Sequence, residues 1–209
     1  MARVRVHQHV NPLAKYYRDL PVKPLVLERL FDNPKQPLHL DIGVGRGRFL
    51  LGMSKLKKDW NFLGLEIREP LVKEANQIRD DLNLNNLHYE FCNAFIALGI
   101  LLENVPREIL QMVTIQFPDP WFKQKHAKRR MVKETMVEEI GNNLSKDGEV
   151  FVQTDIEFLA KEMFRLFEQT GKFIHFDTEE SILPIKSERE KSVENRNLSV
   201  YRKIYRLKQ

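Results

Sequence analysis

Short apolar runs alternate along most of the chain with segments whose apolar residues recur at helical spacing. PLHLDIG, NFLGLEI, LHYEFC, MVTIQF and GEVFVQT have strand character, whereas GRFLLGMSKLKK, PLVKEANQIRDDL, FIALGILLENV and IEFLAKEMFRLFEQ have helical character. A strand followed by a helix and a further strand needs a crossover, which makes the strands parallel and covers both faces of the sheet. The expected fold is therefore α/β, a doubly wound and mostly parallel sheet with helices on both faces. FIHFD and LSVYRKIYRL follow with no helix read between them, which predicts an antiparallel C-terminal edge pair.

At 209 residues the chain has the size of one domain and can bury a full sheet. Residues 1–35 carry Arg3, Arg5, His7, His9, Lys15 and Arg18 among prolines at 12, 21, 24 and 34, which forbid a long helix there. They read as a basic N-terminal arm with one short helix near Leu25 to Phe31, and residues 36–209 read as the main domain. No apolar run approaches the roughly 18 residues that cross a bilayer, and the first residues lack the apolar stretch of a signal peptide. A cytoplasmic protein with no membrane partner is expected. The single cysteine, Cys92, lies in the apolar run HYEFCNAF and reads as a buried thiol, without a disulfide or cysteine-based metal site. His7 and His9 have no supporting cluster, so no metal is expected, and the early basic residues are assigned no role.

Ligands of a doubly wound sheet bind beyond the carboxyl ends of its strands, which makes polar residues there the first candidates for a site. Asp41 ends the first strand inside DIGVGRG, Glu66 ends the second, Asn93 follows the third, and Asp119 follows the fourth inside FPDPW. Gly43, Gly45 and Gly47 let backbone approach a ligand, and an acid after the second strand suits the two hydroxyls of a ribose. Alone, such glycines also make an ordinary tight turn. The spacing is G-x-G-x-G, not the dinucleotide G-x-G-x-x-G, and an acid stands two residues before the first glycine. Both features favour S-adenosylmethionine over NAD as the cofactor, since the former has an amino acid end to hold and no pyrophosphate.

The net charge of +5 favours an anionic partner without naming it. Its distribution says more: five of the eight residues from Lys123 to Arg130 are Lys or Arg and a sixth is His126, directly after FPDPW. Such a run can neutralise phosphates of a folded RNA. Trp121 and Phe122 are candidates to stack on a base, with packing expected for at least one of them.

IQFPDPWFKQKHAKRRMV carries the strongest resemblance in the chain. With LDIGVGRG, GLEIR, QTD and SERE, it resembles the bacterial tRNA (guanine-N7-)-methyltransferase family, whose hallmark is FPDPW followed by a basic cluster. The resemblance implies a Rossmann-like fold and S-adenosylmethionine held at Asp41, Gly43, Gly45, Glu66, Asn93 and Asp119. It makes Asp119 the catalytic residue, puts Lys123, Asp155, Ser187 and Glu190 on the substrate, and puts Lys125, His126, Lys128, Arg129 and Arg130 on the RNA. The chain departs from the family pattern in four places: Asp41 stands where Glu is frequent, Asn93 where Asp is frequent, Phe122 where Pro is frequent, and Ser187 with Arg189 where Thr and an aromatic are usual.

The expected reaction is methyl transfer to N7 of a guanine in tRNA, which the resemblance locates at position 46 of the variable loop. Asp155 or Glu190 suits the guanine N1–H and N2–H₂ donors, although Asp155 equally reads as the cap of the helix beginning IEFLAKEM. The expected partner is tRNA; no obligatory protein partner is expected, and a homodimer is left open. A small-molecule methyltransferase would leave the basic run idle, a noncatalytic RNA-binding subunit would bind no cofactor, and the glycine spacing disfavours a dehydrogenase.

Overall fold

The computed structural model describes residues 6–7, 9–178 and 180–208; Arg3 and Arg5 lie outside the described residues. Seven strands form one sheet: β1 (Leu38–Ile42), β2 (Asn61–Glu66), β3 (Leu87–Phe91), β4 (Leu110–Gln116), β5 (Glu149–Thr154), β6 (Phe173–Asp177) and β7 (Tyr201–Leu207), in the order β3-β2-β1-β4-β5-β7-β6. The first five are parallel, and β7 runs antiparallel to both β5 and β6. The order reverses between β1 and β4, which opens a crevice at the carboxyl ends of those strands.

The helices are α1 (Lys15–Arg18), α2 (Arg48–Leu56), α3 (Glu69–Asp81), α4 (Ala94–Leu102), α5 (Glu134–Asn143), α6 (Glu157–Gln169) and α7 (Glu188–Glu194). Leu38, Leu40, Ile42, Val113, Ile115, Val150 and Val152 alternate onto one face of the sheet, where α4, α5 and α6 pack on them. Phe62 and Phe151 lie on the other face with Phe49, Leu50 and Val72 of α2 and α3. Leu25, Leu27 and Phe31 belong to the first of these cores.

Two expectations are corrected, and one helix is added. The short helix near Leu25 to Phe31 is a single 3-10 turn, Leu27–Arg29, preceded by the four-residue α1. Between β4 and β5 lies α5, whose buried Met136, Val137 and Ile140 recur at helical spacing directly after the basic run that masks them. Between β6 and β7 lies α7, where no helix was expected. It offers one buried apolar residue, Val193, and is held by a capping box in which Ser187 and Glu190 exchange backbone and side-chain bonds. The terminal strands are antiparallel all the same, because β7 inserts between β5 and β6.

Candidate active site

The four polar residues expected at the strand ends converge on the crevice, where each has a different task. Asp41 lies opposite Thr114 in the β1–β4 register and accepts a hydrogen bond from its Oγ1 at 2.6 Å. His39, two residues earlier on the same face, lies 3.0 Å from that hydroxyl through Nε2. Burial pushes the Asp41 carboxyl up to about 7 and the His39 imidazole down to about 3. His39 is therefore neutral at physiological pH, and Asp41 holds its proton well above the usual carboxylate range.

Glu66 is almost fully buried at the end of β2. Its carboxylate accepts the backbone N–H of Gly45, and the backbone N–H, Nε and Nη2 of Arg68, each at 2.9 Å. The acid thus pins the glycine turn to the second strand. Gly47, with φ of +70°, packs so closely that a Cβ would meet the Tyr89 ring at 2.5 Å, and the Tyr89 hydroxyl donates to its carbonyl at 2.6 Å. Gly43, with φ of +86°, leaves space that a Cβ would fill against Met131 at 2.8 Å.

Asn93 stands at the N-cap position of α4, but its side chain makes no capping bond. Its Nδ2 donates to the carbonyls of Pro12 at 2.9 Å and Tyr17 at 3.2 Å, which ties the N-terminal segment over the crevice. Val10 and Pro12 consequently line a cavity of about 120 Å³ together with Gly43, Glu66, Cys92, Asn93 and Asp119. Cys92 is buried, and burial raises its thiol pKa.

Asp119 is held by an unusual stretch of backbone. Phe117 and Trp121 on either side of Pro118-Asp119-Pro120 have φ of +49° and +42°, a conformation that costs a bulky residue of order 1–3 kcal/mol and persists only when its surroundings impose it. The surroundings are identifiable: Phe117 N–H donates to the Gln153 carbonyl at 2.8 Å, and Arg130 donates through Nε to the Pro120 carbonyl at 3.1 Å and through Nη2 to that of Trp121 at 3.4 Å. Asp119 itself is partly exposed and pairs with Nδ1 of His9 at 3.0 Å. It lines the 120 Å³ cavity and also a larger one of about 530 Å³ that includes Asp41, Gly45, Phe122, Asp155, Ser187 and Arg189. Gly43, Arg68, Phe117, Pro118 and Asp119 form the wall common to the two.

The basic run divides by direction. Lys123, Lys125 and Lys128 are exposed. Arg129 lies over the Trp121 ring at 4.9 Å and His126 meets that ring edge-on at 5.6 Å. Arg130, expected on the RNA, is instead buried; besides holding the FPDPW turn it pairs with Glu162 of α6. Of the two aromatics, Trp121 is packed among these groups, whereas Phe122 is 67% exposed and touches Phe158.

Ser187 and Glu190, the two ends of the SERE segment, cap α7 together. Glu190, expected on the substrate, is fully buried, and accepts from Gln153 at 3.1 Å, from Arg202 at 2.9 Å and from the Ser187 backbone at 3.3 Å. Its carboxylate is consumed in holding α7. Asp155 makes no capping bond to α6, whose cap position is Ile156; it pairs with Arg189. His39, Thr114, Arg68, His9 and Arg189 were not singled out as site residues from sequence. A signal existed for the first two, as polar residues inside otherwise apolar strands.

Residues 35–206 match the family described as "Putative methyltransferase". The chain is 52% identical over 206 residues to a tRNA (guanine-N(7)-)-methyltransferase of Trichormus variabilis, covering 97% of this chain and 95% of that one. It is 46% identical over 212 residues to the enzyme of the same name from Microcystis aeruginosa, covering all of both. Among solved structures, a SAM-dependent methyltransferase from Aquifex aeolicus shares the fold with a TM-score of 0.54 at 13% identity, covering 83% of this chain and 84% of that one.

Proposed function

The chain belongs to the tRNA (guanine-N(7)-)-methyltransferase family, and from that premise we propose that its two cavities divide the reaction between them, with Asp119 at their common wall. The enzyme transfers a methyl group from S-adenosylmethionine to N7 of a guanine in tRNA. The observation that carries the site assignment is that Asp119 lines both the smaller cavity and the larger one.

The residues fit the cofactor. Gly43 keeps an approach clear that any side chain would fill, and the small cavity is walled by Leu65, Ile67, Phe95 and Phe117, as an adenosine requires. Asp41, on the wall of the larger cavity, would hold the cationic amino acid end, with Gly43 and Gly45 presenting backbone; Glu66 would take the ribose in exchange for the Arg68 side chain that it now holds, and Asn93 would hold the N-terminal segment over the base. When bound, the cofactor supplies an electrophilic methyl group on a positively charged sulfur.

Guanine N7 carries an in-plane lone pair and no proton. A nitrogen–carbon bond forms as the sulfur–carbon bond breaks, no proton leaves, and the positive charge passes to the purine. The chain therefore needs no general base; it supplies alignment and a preorganised negative field. Asp119, fixed by the strained turn, supplies that field. Asp155 and Ser187, on the wall of the larger cavity, receive the guanine together with Lys123, and Phe122 offers a ring on which a base can stack. Lys125, Lys128 and the Trp121-flanking His126 and Arg129 meet the RNA, while Arg130 and Glu190 hold the site from behind.

The target is guanine 46 of the variable loop, the enzyme works in the cytoplasm, and one chain carries every group named, so no obligatory protein partner is required. A small-molecule methyltransferase would have no use for the exposed Phe122 and lysines beside the larger cavity. Replacing Asp119 by Asn tests the reading: kcat should fall by about 100-fold, as when one preorganised charge-stabilising group is removed, with cofactor affinity retained. Full turnover would remove Asp119 from this role.

A further inference from the structure

Arg189 and Asp155 form an ion pair on the wall of the larger cavity. Nη2 of Arg189 donates to Oδ2 of Asp155, and among the described residues Arg189 is the group that bonds this carboxylate. The Asp155 side chain is 9% exposed and the Arg189 side chain 50%. The pair sits on firm supports at both ends. Asp155 directly follows β5, in the middle of the sheet, and Arg189 stands on α7, whose Ser187–Glu190 capping box is anchored by the buried Glu190 to Gln153 of β5 and Arg202 of β7.

We propose that Asp155 and Arg189 read the Watson–Crick edge of the target guanine as one unit, with Arg189 donating to O6 while Asp155 accepts from N1–H and N2–H₂. The proposal rests on the assignment of Asp155 to guanine and adds Arg189 as a specificity-determining residue. Guanine presents an acceptor, a donor and a donor along this edge. The planar guanidinium has five N–H donors, so it keeps its bond to Oδ2 and offers another N–H beside it. The two side chains then present a donor, an acceptor and an acceptor in a row, the pattern that cytosine offers to guanine. Adenine would set its amino group against the guanidinium and its N1 lone pair against the carboxylate, and a largely buried carboxylate left facing a lone pair disfavours such an analogue. The pair is neutral as a whole, so it reads the edge without adding net positive charge beside a ring that becomes cationic. The Hoogsteen edge, with N7, is left free.

Methyl transfer kinetics on three tRNA transcripts test this: one with the target guanosine, one with 6-thioguanosine, which offers a weak acceptor in place of O6, and one with inosine, which lacks the 2-amino group. The intact enzyme should lose about tenfold in kcat/KM on the 6-thioguanosine transcript, the scale of one charge-assisted hydrogen bond. Arg189→Met should lose about tenfold on the guanosine transcript, show no further loss with 6-thioguanosine, and keep the full inosine penalty; Arg189→Lys should recover part of the loss. Its calorimetric affinity for S-adenosylmethionine should not change. A 6-thioguanosine penalty that persists in Arg189→Met overturns the proposal, and so does a fall in cofactor affinity, which would make Arg189 a structural residue. A rise in kcat/KM on removing Arg189 also overturns it, by showing a plug that guanine must displace. Asp155→Asn separates the underlying assignment: it should abolish the inosine penalty, and an undiminished penalty there would mean that Asp155 does not face the guanine at all.

Discussion

Arg130 donates to the carbonyl of Pro120 at 3.1 Å while its other end pairs with Glu162, so a residue at the close of the basic run holds the FPDPW turn from inside the protein. Arg130→Met leaves the Glu162 carboxylate and two carbonyls without their donor. Loss of one partner of a largely buried pair costs about 3 kcal/mol, and denaturant unfolding should report that loss. The salt dependence of tRNA binding should stay as it is; a shallower slope would mean that Arg130 reaches phosphate after all.

Lys128 gives the opposite signature. It is exposed on the 3-10 turn Gln124–Arg129, so Lys128→Ala should leave unfolding unchanged and reduce the slope of log affinity against log salt by about 1, the contribution of one phosphate contact. An unchanged slope would assign Lys128 to solvent.

Asp41 makes cofactor binding pH-dependent. Burial raises its folded-state pKa from 3.8 to about 7, so the ligand-free fold loses stability as pH climbs from about 4 to 7, because the unfolded chain releases a proton there that the folded one keeps. A cationic ligand beside it favours the ionised form. Affinity for S-adenosylmethionine should therefore be full above pH 7 and fall by up to about tenfold per unit below it, with proton release visible by calorimetry in buffers of different ionisation enthalpy. Asp41→Asn should bind more weakly and lose that dependence; a wild-type affinity flat from pH 5 to 8 would contradict the assignment.

Asn93→Ala deletes the amide that holds the carbonyls of Pro12 and Tyr17. Hydrogen exchange of residues 13–18 should accelerate, by an opening free energy lowered by about 1–3 kcal/mol, and cofactor affinity should fall with it. Loss of affinity without faster exchange would place Asn93 on the cofactor directly.

Much of this was legible because the strands follow one another with clear punctuation. Asp41, Glu66, Asn93 and Asp119 stand at strand ends in the sequence, and a parallel sheet necessarily gathers such positions at one edge. Partnerships across the sheet were not legible. Asp41 meets Thr114 through the β1–β4 register, 73 residues apart in sequence, and no local pattern encodes a register. Nothing in Lys128-Arg129-Arg130 tells which cation turns inward; Glu162, 32 residues further on, decides it. The helix α7 was legible in principle, since Ser187-Glu188-Arg189-Glu190 is a capping-box sequence. Read only as a substrate segment, it hid the fact that its first and last residues build the support on which Arg189 stands.

If guanine N7 is the methyl acceptor, the product nucleoside shows it. The purified protein is incubated with methyl-labelled S-adenosylmethionine and unmodified tRNA, and the RNA is then digested to nucleosides. Label is expected in 7-methylguanosine alone, and reduced about 100-fold by Asp119→Asn. Label in any other nucleoside, or tight tRNA binding with no label transferred, would contradict guanine N7 as the acceptor.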